Sequence, residues 1–106
     1  VANIAARKPG IASGLALAEA SFRTLQPDIR FEIACPDGHG VSAGDVIARV
    51  TGNARALLSG ERVALNYLGR LSGIATLTKR YVDAIAGTRA RIVDTRKTTP
   101  GLRAFE

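Results

Sequence analysis

The sequence predicts an α/β fold, in which short strands and one helix precede a longer helical region. Ile29, Phe31 and Ile33 alternate with other side chains, which is the two-residue period of a half-buried strand. Between Gly14 and Gln26 the apolar residues recur instead at the spacing of one helix face. Near residue 95 a short apolar segment is followed by a dense run of polar residues. In α/β barrels the active-site residues likewise lie at the C-terminal ends of the strands.

The first 50 or so residues are expected to be rich in strands. Val1–Arg7 and Ile11–Ser13 are predicted to form a hairpin around the turn formers Lys8–Gly10. The helix that follows should end at Pro27. Apolar residues predict a further strand over Val46–Val50.

From Ala54 onward the pattern predicts two helices and one strand. Leucines mark a helical face from Arg55 to Leu71, and Ser72 is placed to cap a second helix. Gly87 should end that helix. Ala90–Asp94 is predicted to be a short strand.

Composition and charge exclude several classes of protein. The 46% of hydrophobic and 23% of charged residues are ordinary for a globular domain, and no apolar run approaches the roughly 18 residues of a membrane span. Cys35 and His39, the lone Cys and His, are too few for a metal site with its own nitrogen and sulfur ligands. A single Cys also favours a reducing, cytoplasmic location.

The net charge of +6 indicates an anionic partner. Nucleic-acid binders usually carry basic blocks with stacking aromatic residues, whereas the basic residues here are scattered. Small phosphorylated or carboxylated molecules therefore fit better.

The strongest signal for chemistry is the run from Asp94 to Arg103. Arg96 and Lys97 can converge on one ligand only where regular strand geometry has ended, because successive strand side chains point to opposite faces. Arginine grips a carboxylate with a planar fork, and lysine acts as a point charge on phosphate. A solvated basic loop is the alternative interpretation.

A second signal is a helical stripe of polar and small residues. Arg62, Asn66, Gly69 and Gly73 follow one another at spacings of four, three and four. Such a stripe would let another chain or a ligand approach closely. An ordinary exposed helix face is the alternative.

Three segments together resemble consecutive motifs of the quinolinate phosphoribosyltransferase family. They are Leu57–Asn66, Leu71–Thr76 and Asp94–Arg103, and their order and spacing match along essentially the whole chain. The resemblance implies part of an N-terminal α/β sandwich domain over residues 1–65. It implies the first helices and first strand of an irregular α/β barrel over residues 66–106.

The resemblance also implies an activity. Family members transfer a phosphoribosyl group from phosphoribosyl pyrophosphate to quinolinate, with Mg²⁺, and release pyrophosphate and CO₂ to give nicotinate mononucleotide for NAD biosynthesis. Thr95 and Arg96 correspond to the motif that holds the quinolinate carboxylates, and Lys97 to a lysine that contacts the phosphoribosyl substrate. Arg62 corresponds to an arginine that reaches quinolinate from the neighbouring subunit. A homodimer with shared active sites is therefore expected, and no residue is assigned a catalytic role.

A whole barrel needs roughly 250 residues, so we expect the chain to be a fragment, truncated at both ends. The remaining pocket residues and the Mg²⁺ ligands are expected beyond Glu106. Residues 1–106 alone should therefore be inactive.

Two other functions stay open at this stage. One is a paralogue of the molybdenum-transport type that acts on a different carboxylated base. The other is a carrier-like or interaction domain, because Asp37–Ala48 is similar to the turn scaffold of biotinyl and lipoyl carriers. No lysine lies between Lys8 and Lys79 to carry such a group, which speaks against a carrier.

Overall fold

The computed structural model describes all 106 residues and has the predicted α/β character. In chain order its elements are β1 (Ala2–Ala5), β2 (Gly10–Ile11), α1 (Leu15–Arg23), β3 (Arg30–Ile33), β4 (Gly40–Val41), β5 (Val46–Thr51) and α2 (Ala54–Ala84). Neither helix has an apolar stretch long enough to cross a membrane.

Strand β5 is the centre of a three-stranded antiparallel sheet with the order β1-β5-β3. Ala48 and Val50 of β5 are buried, whereas Arg49 between them is exposed, as the two-residue period of a strand requires. Ile4 lies opposite Ala48 on one edge, and Phe31 lies opposite Val50 on the other. Strands β2 and β4 form a separate antiparallel pair.

One hydrophobic cluster joins the sheet to both helices. Its buried members are Ala12, Leu15, Ala18, Phe22, Ile29, Ile47, Ala48, Val50, Ala64 and Leu68. Helix α2 comes close to α1 at the buried Gly60, where an added Cβ would lie 2.7 Å from Cδ1 of Phe22. Only 14 of the 106 residues are buried, so this core is small.

Three predicted elements are confirmed with small changes of length. Helix α1 lies within the predicted Gly14–Gln26 and buries Leu15, Ala18 and Phe22. Strand β3 lies where the alternation of apolar residues placed it, and β5 lies over the apolar run that predicted a strand. Helix α1 and strand β5 were predictable because most of the apolar side chains that form their patterns also build the core, whereas Ile33 of β3 is 49% exposed.

The predicted N-terminal hairpin is wrong. β1 pairs with β5, and β2 pairs with β4, so the two segments on either side of Lys8–Gly10 belong to different sheets. The chain crosses near Ala6, which exchanges backbone hydrogen bonds with the turn before β5 at 2.8 and 2.9 Å. Strand β5 thereby has a partner on both edges, which leaves no unpaired backbone groups in the sheet centre.

The predicted break at Ser72 is also wrong, because α2 is one helix of 31 residues. Ser72 does not cap a second helix. Its hydroxyl accepts a hydrogen bond from the backbone N–H of Ser13 at 3.0 Å and donates one to the carbonyl of the same residue at 3.1 Å. The predicted domain boundary between residues 65 and 66 falls inside this helix.

The predicted strand over Ala90–Asp94 is not formed, and these residues have no regular secondary structure. They are exposed, and no strand of the 106 residues lies beside them to complete a ladder of hydrogen bonds. The helix end is close to the prediction, since Gly87 takes a left-handed backbone with φ 79° two residues after the cap at Ile85.

Candidate substrate-binding site

Thr95, Arg96 and Lys97 lie in an exposed segment between the end of α2 and a compact turn at the C-terminal end of the chain. The Thr95 hydroxyl accepts a hydrogen bond from the backbone N–H of Lys97 at 3.2 Å. The Thr95 carbonyl accepts one from the Arg103 guanidinium at 3.2 Å. The segment is therefore held locally although it belongs to no helix or strand.

The side chains of Arg96 and Lys97 have no partner within the chain. Neither takes part in any ion pair or side-chain hydrogen bond, whereas Arg103 lies 3.8 Å from Asp94. A free guanidinium next to a free ammonium can bind carboxylate and phosphate groups without first giving up another interaction.

A cluster of Arg70, Thr99 and Glu106 fixes the C-terminal turn to α2. Arg70 donates to Oε1 of Glu106 from Nε at 3.1 Å and from Nη2 at 2.9 Å, and Nη2 also contacts the Thr99 hydroxyl. Oε2 of Glu106 accepts the backbone N–H of Thr99 at 3.0 Å. The backbone N–H and hydroxyl of Thr99, more than the Arg70 guanidinium, hold the pKa of the Glu106 carboxyl below its usual range.

Arg62 projects from the exposed side of α2 and has no ion-pair partner. No hydrogen bond joins it to the Thr95–Lys97 segment, so the structure does not bring the four predicted residues into one pocket. Along the same helix Gly69 and Gly73 face open space, because an added Cβ would meet no atom within 4 Å. This face of α2 is thus uncovered in the chain.

Positive charge is concentrated in the C-terminal third of the chain. The stretch from Lys79 to Arg103 contains seven of the fifteen Lys and Arg residues but only two of the nine acidic residues. Nearly all of the net charge of +6 therefore lies around the Thr95–Lys97 segment, where it favours anionic ligands.

One cavity lies mostly away from this charge, although Arg80 is among its lining residues. It is an open groove of about 1380 Å³ between the β1–β2 region and α2, and 16 of its 27 lining residues are hydrophobic. Leu57, Leu65 and Leu77 form part of its wall, and none of the four predicted binding residues does. A largely apolar wall offers little to a carboxylate or a phosphate, so the charged segment is the better candidate for binding such groups.

The side chains that most often bind metals are not clustered in this chain. No three His, Cys, Asp or Glu side chains lie close enough together to hold an ion. The carboxylate nearest the charged segment, Asp94, lies beside Arg103, and Glu106 is engaged by Arg70 and Thr99.

The Arg70–Glu106 contact is the feature that the sequence did not predict. The two residues are 36 positions apart, and neither belongs to the three motifs that carry the family resemblance. A weaker signal was present, since Arg70 lies one residue before the Leu71–Thr76 motif and Glu106 three residues after Arg103.

Comparison with known proteins decides the family. The model described as "Quinolinate phosphoribosyl transferase, N-terminal domain" matches residues 1–72, and the corresponding C-terminal domain model matches residues 74–106. The chain belongs to the quinolinate phosphoribosyltransferase family. Together the two matches cover nearly the whole chain, and they meet inside helix α2.

Curated relatives of this family are similar along the chain. It is 50% identical over 101 residues to the "Probable nicotinate-nucleotide pyrophosphorylase (carboxylating)" of Synechocystis sp., covering 95% of this chain and 34% of that protein. It is 44% identical over 105 residues to "Quinolinate phosphoribosyltransferase (decarboxylating) 1" of Nicotiana glauca, covering 99% of this chain and 29% of that protein. The chain thus spans about a third of the length of these relatives.

Solved structures share the fold. The crystal structure of NadC from Streptococcus pyogenes matches with a TM-score of 0.89 and 40% identity, over 95% of this chain and 37% of that one. The nicotinate-nucleotide pyrophosphorylase from Francisella tularensis matches with a TM-score of 0.89 and 32% identity, over 97% and 39%. The chain therefore has the N-terminal part of the phosphoribosyltransferase fold.

Proposed function

We propose that the complete protein to which this chain belongs transfers the phosphoribosyl group of phosphoribosyl pyrophosphate to quinolinate. The products would be nicotinate mononucleotide, pyrophosphate and CO₂, as a step of NAD biosynthesis. The observation that carries the proposal is the pair of exposed cations without partners, Arg96 and Lys97, in the part of the chain that matches the family's C-terminal domain. The names of the relatives support the same reaction.

The charges of the substrates explain why such a segment is needed. Quinolinate carries two adjacent carboxylates, and its co-substrate carries a phosphate and a pyrophosphate, so bringing them together concentrates negative charge. A preorganised cationic site offsets this repulsion and stabilises the charge that develops on the leaving group. Arg96 with Thr95 is proposed to bind the quinolinate carboxylates, and Lys97 to contact the phosphoribosyl substrate.

We further propose that the complete protein is a cytoplasmic homodimer in which Arg62 reaches the active site of the other subunit. The uncovered face of α2 around Arg62, Gly69 and Gly73 is compatible with a second chain at this position. We also propose that the Mg²⁺ ligands lie outside residues 1–106, and these residues alone are expected to give no product.

The test is an assay of the complete purified protein with quinolinate, phosphoribosyl pyrophosphate and Mg²⁺. Release of CO₂ from carboxyl-labelled quinolinate and chromatographic detection of nicotinate mononucleotide should rise together in equal amounts. Arg96→Ala should abolish both signals. Asp83→Asn, which removes a charge from an exposed ion pair on α2, serves as the matched control and should leave both unchanged.

The alternatives give other results in the same experiment. A paralogue for another carboxylated base would bind phosphoribosyl pyrophosphate but would release no CO₂ from quinolinate. A carrier-like domain would show neither activity, and its intact mass would include biotin or lipoate. Either result would refute the proposed reaction.

A further inference from the structure

Arg70 and Glu106 form the one ion pair that joins the C-terminal segment to a helix. The Glu106 side chain is only 10% exposed, although it lies in a turn. Both of its oxygens are used, Oε1 by the Arg70 guanidinium and Oε2 by the backbone N–H of Thr99. The contact is thus a closed network and differs from the exposed pairs Arg23–Glu19 and Lys79–Asp83.

The segment between α2 and Thr99 has few other supports. After the hydrogen bond from Thr88 to Ile85, the next backbone–backbone hydrogen bond is the one from Leu102 to Thr99. Over the intervening residues the links that extend beyond a local turn are those that Arg103 makes with Thr95 and Asp94. The turn that contains Arg103 is itself closed by hydrogen bonds from Phe105 and Glu106 to Leu102.

These links form a chain of contacts from α2 to the cations. Arg70 holds Glu106 and Thr99, the closed turn holds Arg103, and Arg103 holds the backbone at Thr95. Arg96 follows directly. The direction in which Arg96 and Lys97 point relative to α2 therefore depends on a pair of residues that do not reach these side chains.

We infer that Arg70 and Glu106 are positioning residues, which hold the Thr95–Lys97 segment in its binding geometry without touching substrate. The inference rests on the proposed function, because it assigns the segment the role of binding quinolinate. A displacement of about 1 Å in a binding group can reduce the rate on the order of a hundredfold. Loss of this pair should therefore impair substrate binding more than it impairs folding.

The test uses Glu106→Gln in the complete protein. The amide keeps the shape of the side chain but has one oxygen in place of two, so it cannot serve Arg70 and Thr99 together. We expect KM for quinolinate to rise roughly tenfold or more. Arg70→Lys, which retains the charge but loses the fork, should give a smaller rise and provides a second variant if the first folds poorly. Asp83→Asn is the control, because it also removes a carboxylate that is ion-paired to a side chain of α2, in this case Lys79.

A double-mutant cycle separates positioning from general stabilisation. Arg96→Lys alone and Glu106→Gln alone should each weaken quinolinate binding. If Glu106 acts through Arg96, the double variant should bind quinolinate almost as well as Arg96→Lys alone. The lysine has already lost the bidentate contact, so misplacing it reduces the affinity little further. A purely structural role would instead lower the melting temperature and add its effect to that of Arg96→Lys.

The outcomes are distinct. A wild-type protein that neither binds quinolinate nor forms product would overturn the proposed function and this inference with it. An active wild-type protein whose Glu106→Gln and Arg70→Lys variants bind quinolinate normally would overturn the positioning role alone. So would strictly additive effects in the cycle. Elevated KM with coupling to Arg96, and an unchanged Asp83→Asn control, would support it.

Discussion

The arginines around the candidate site differ in what they contact. Arg70 pairs with Glu106. Arg103 contacts the Thr95 carbonyl and the Asp94 carboxylate. Arg96 has no partner within the chain. Engaged guanidinium groups hold the segment, and the free one is available to a ligand. The two functions that one residue type can serve, fixing the chain and binding an anion, are thus divided among neighbours.

Arg96→Lys tests the proposed role of the free guanidinium. Lysine keeps the positive charge but cannot make two parallel hydrogen bonds to a carboxylate. Breaking one partner of a desolvated charge pair costs on the order of 2–5 kcal/mol, so quinolinate binding should weaken sharply. Titration calorimetry on the complete protein should show this loss, with far less change for phosphoribosyl pyrophosphate. Unchanged quinolinate affinity would remove Arg96 from the site.

The Glu106 carboxyl gives a prediction about pH. Its pKa is lowered, chiefly by the Thr99 backbone N–H and hydroxyl and then by Arg70, and Lys79 lines the same small cavity. Because this pKa is lowered, the ionised Glu106 carboxylate stabilises the folded chain at any pH above the pKa of an unfolded Glu, about 4.3. This stabilisation is lost as the pH falls through the pKa of the folded state. The C-terminal turn should therefore stay docked from pH 7 down to about pH 5.

Carbon-13 NMR of the Glu carboxyl groups would measure this titration. The resonance that disappears in Glu106→Gln should titrate below the usual range of a glutamate carboxyl. A midpoint for Glu106 in the usual range of glutamate would show that the Thr99 and Arg70 contacts are absent in solution.

At the scale of elements, the predictions that succeeded are those that depend on neighbours in sequence. α1 shows its helical period and β5 its apolar run within a few residues, and these local patterns are enough to place them. The hairpin and the break at Ser72 failed because distant residues decide them. Ser72 contacts Ser13, which is 59 positions away, and Asp37 accepts hydrogen bonds from the start of α1 across 22 and 23 positions.

The same distinction applies to the candidate site. Thr95, Arg96 and Lys97 are consecutive, so a sequence motif by itself is enough to propose them as binding residues. The Arg70–Glu106 pair depends on how the turn folds back on α2, and residue spacing contains no information about that. The role of Arg62 stays a prediction, because the active site that it is proposed to reach belongs to the other subunit.

The packing of α1 on α2 can be tested at Gly60. An added Cβ would lie 2.7 Å from Cδ1 and 3.2 Å from Cε1 of Phe22, so the ring would have to move. Overpacking costs about 1–3 kcal/mol, which exceeds the gain of about 1 kcal/mol or less from replacing glycine by alanine in a helix. Gly60→Ala should therefore lower the melting temperature by several degrees.

Gly73→Ala is the matched control for this measurement. It lies in the same helix, and its added Cβ would meet no atom of the chain within 4 Å. Measured on residues 1–106 as a monomer, in which no second chain covers this face, the helix-propensity gain should leave the melting temperature unchanged or slightly higher. Equal losses at both positions would contradict the assignment of Gly60 as the contact point between the helices.

Considered as a whole, the molecule is organised around helix α2. Its 31 residues span about 46 Å, and the two family models meet within it at residues 72 and 74. The radius of gyration of 15.2 Å exceeds the roughly 13 Å expected of a compact domain of this size, because the helix extends beyond the sheet. α2 therefore connects the three-stranded sheet to the part of the chain that contains Arg96.

The position of Arg62 on this helix constrains how it can serve an active site. Arg70, which anchors the Arg96 segment, is eight residues from Arg62, or about 12 Å along the axis, and the two differ in direction around the helix. Arg62 must either extend along its own helix to the site of its own subunit or cross a two-fold interface to the other site. The uncovered glycines beside it favour the second route.

Mixing two inactive variants distinguishes these routes. Full-length Arg62→Ala and Arg96→Ala are each expected to be nearly inactive as homodimers. If Arg62 crosses the interface, a heterodimer contains one site with both defects and one site with neither. Random pairing makes about half of the dimers heterodimeric, so the mixture should recover roughly a quarter of wild-type activity. If Arg62 serves its own subunit, each site in the heterodimer keeps one defect. No activity would then return even when native mass spectrometry confirms that heterodimers have formed.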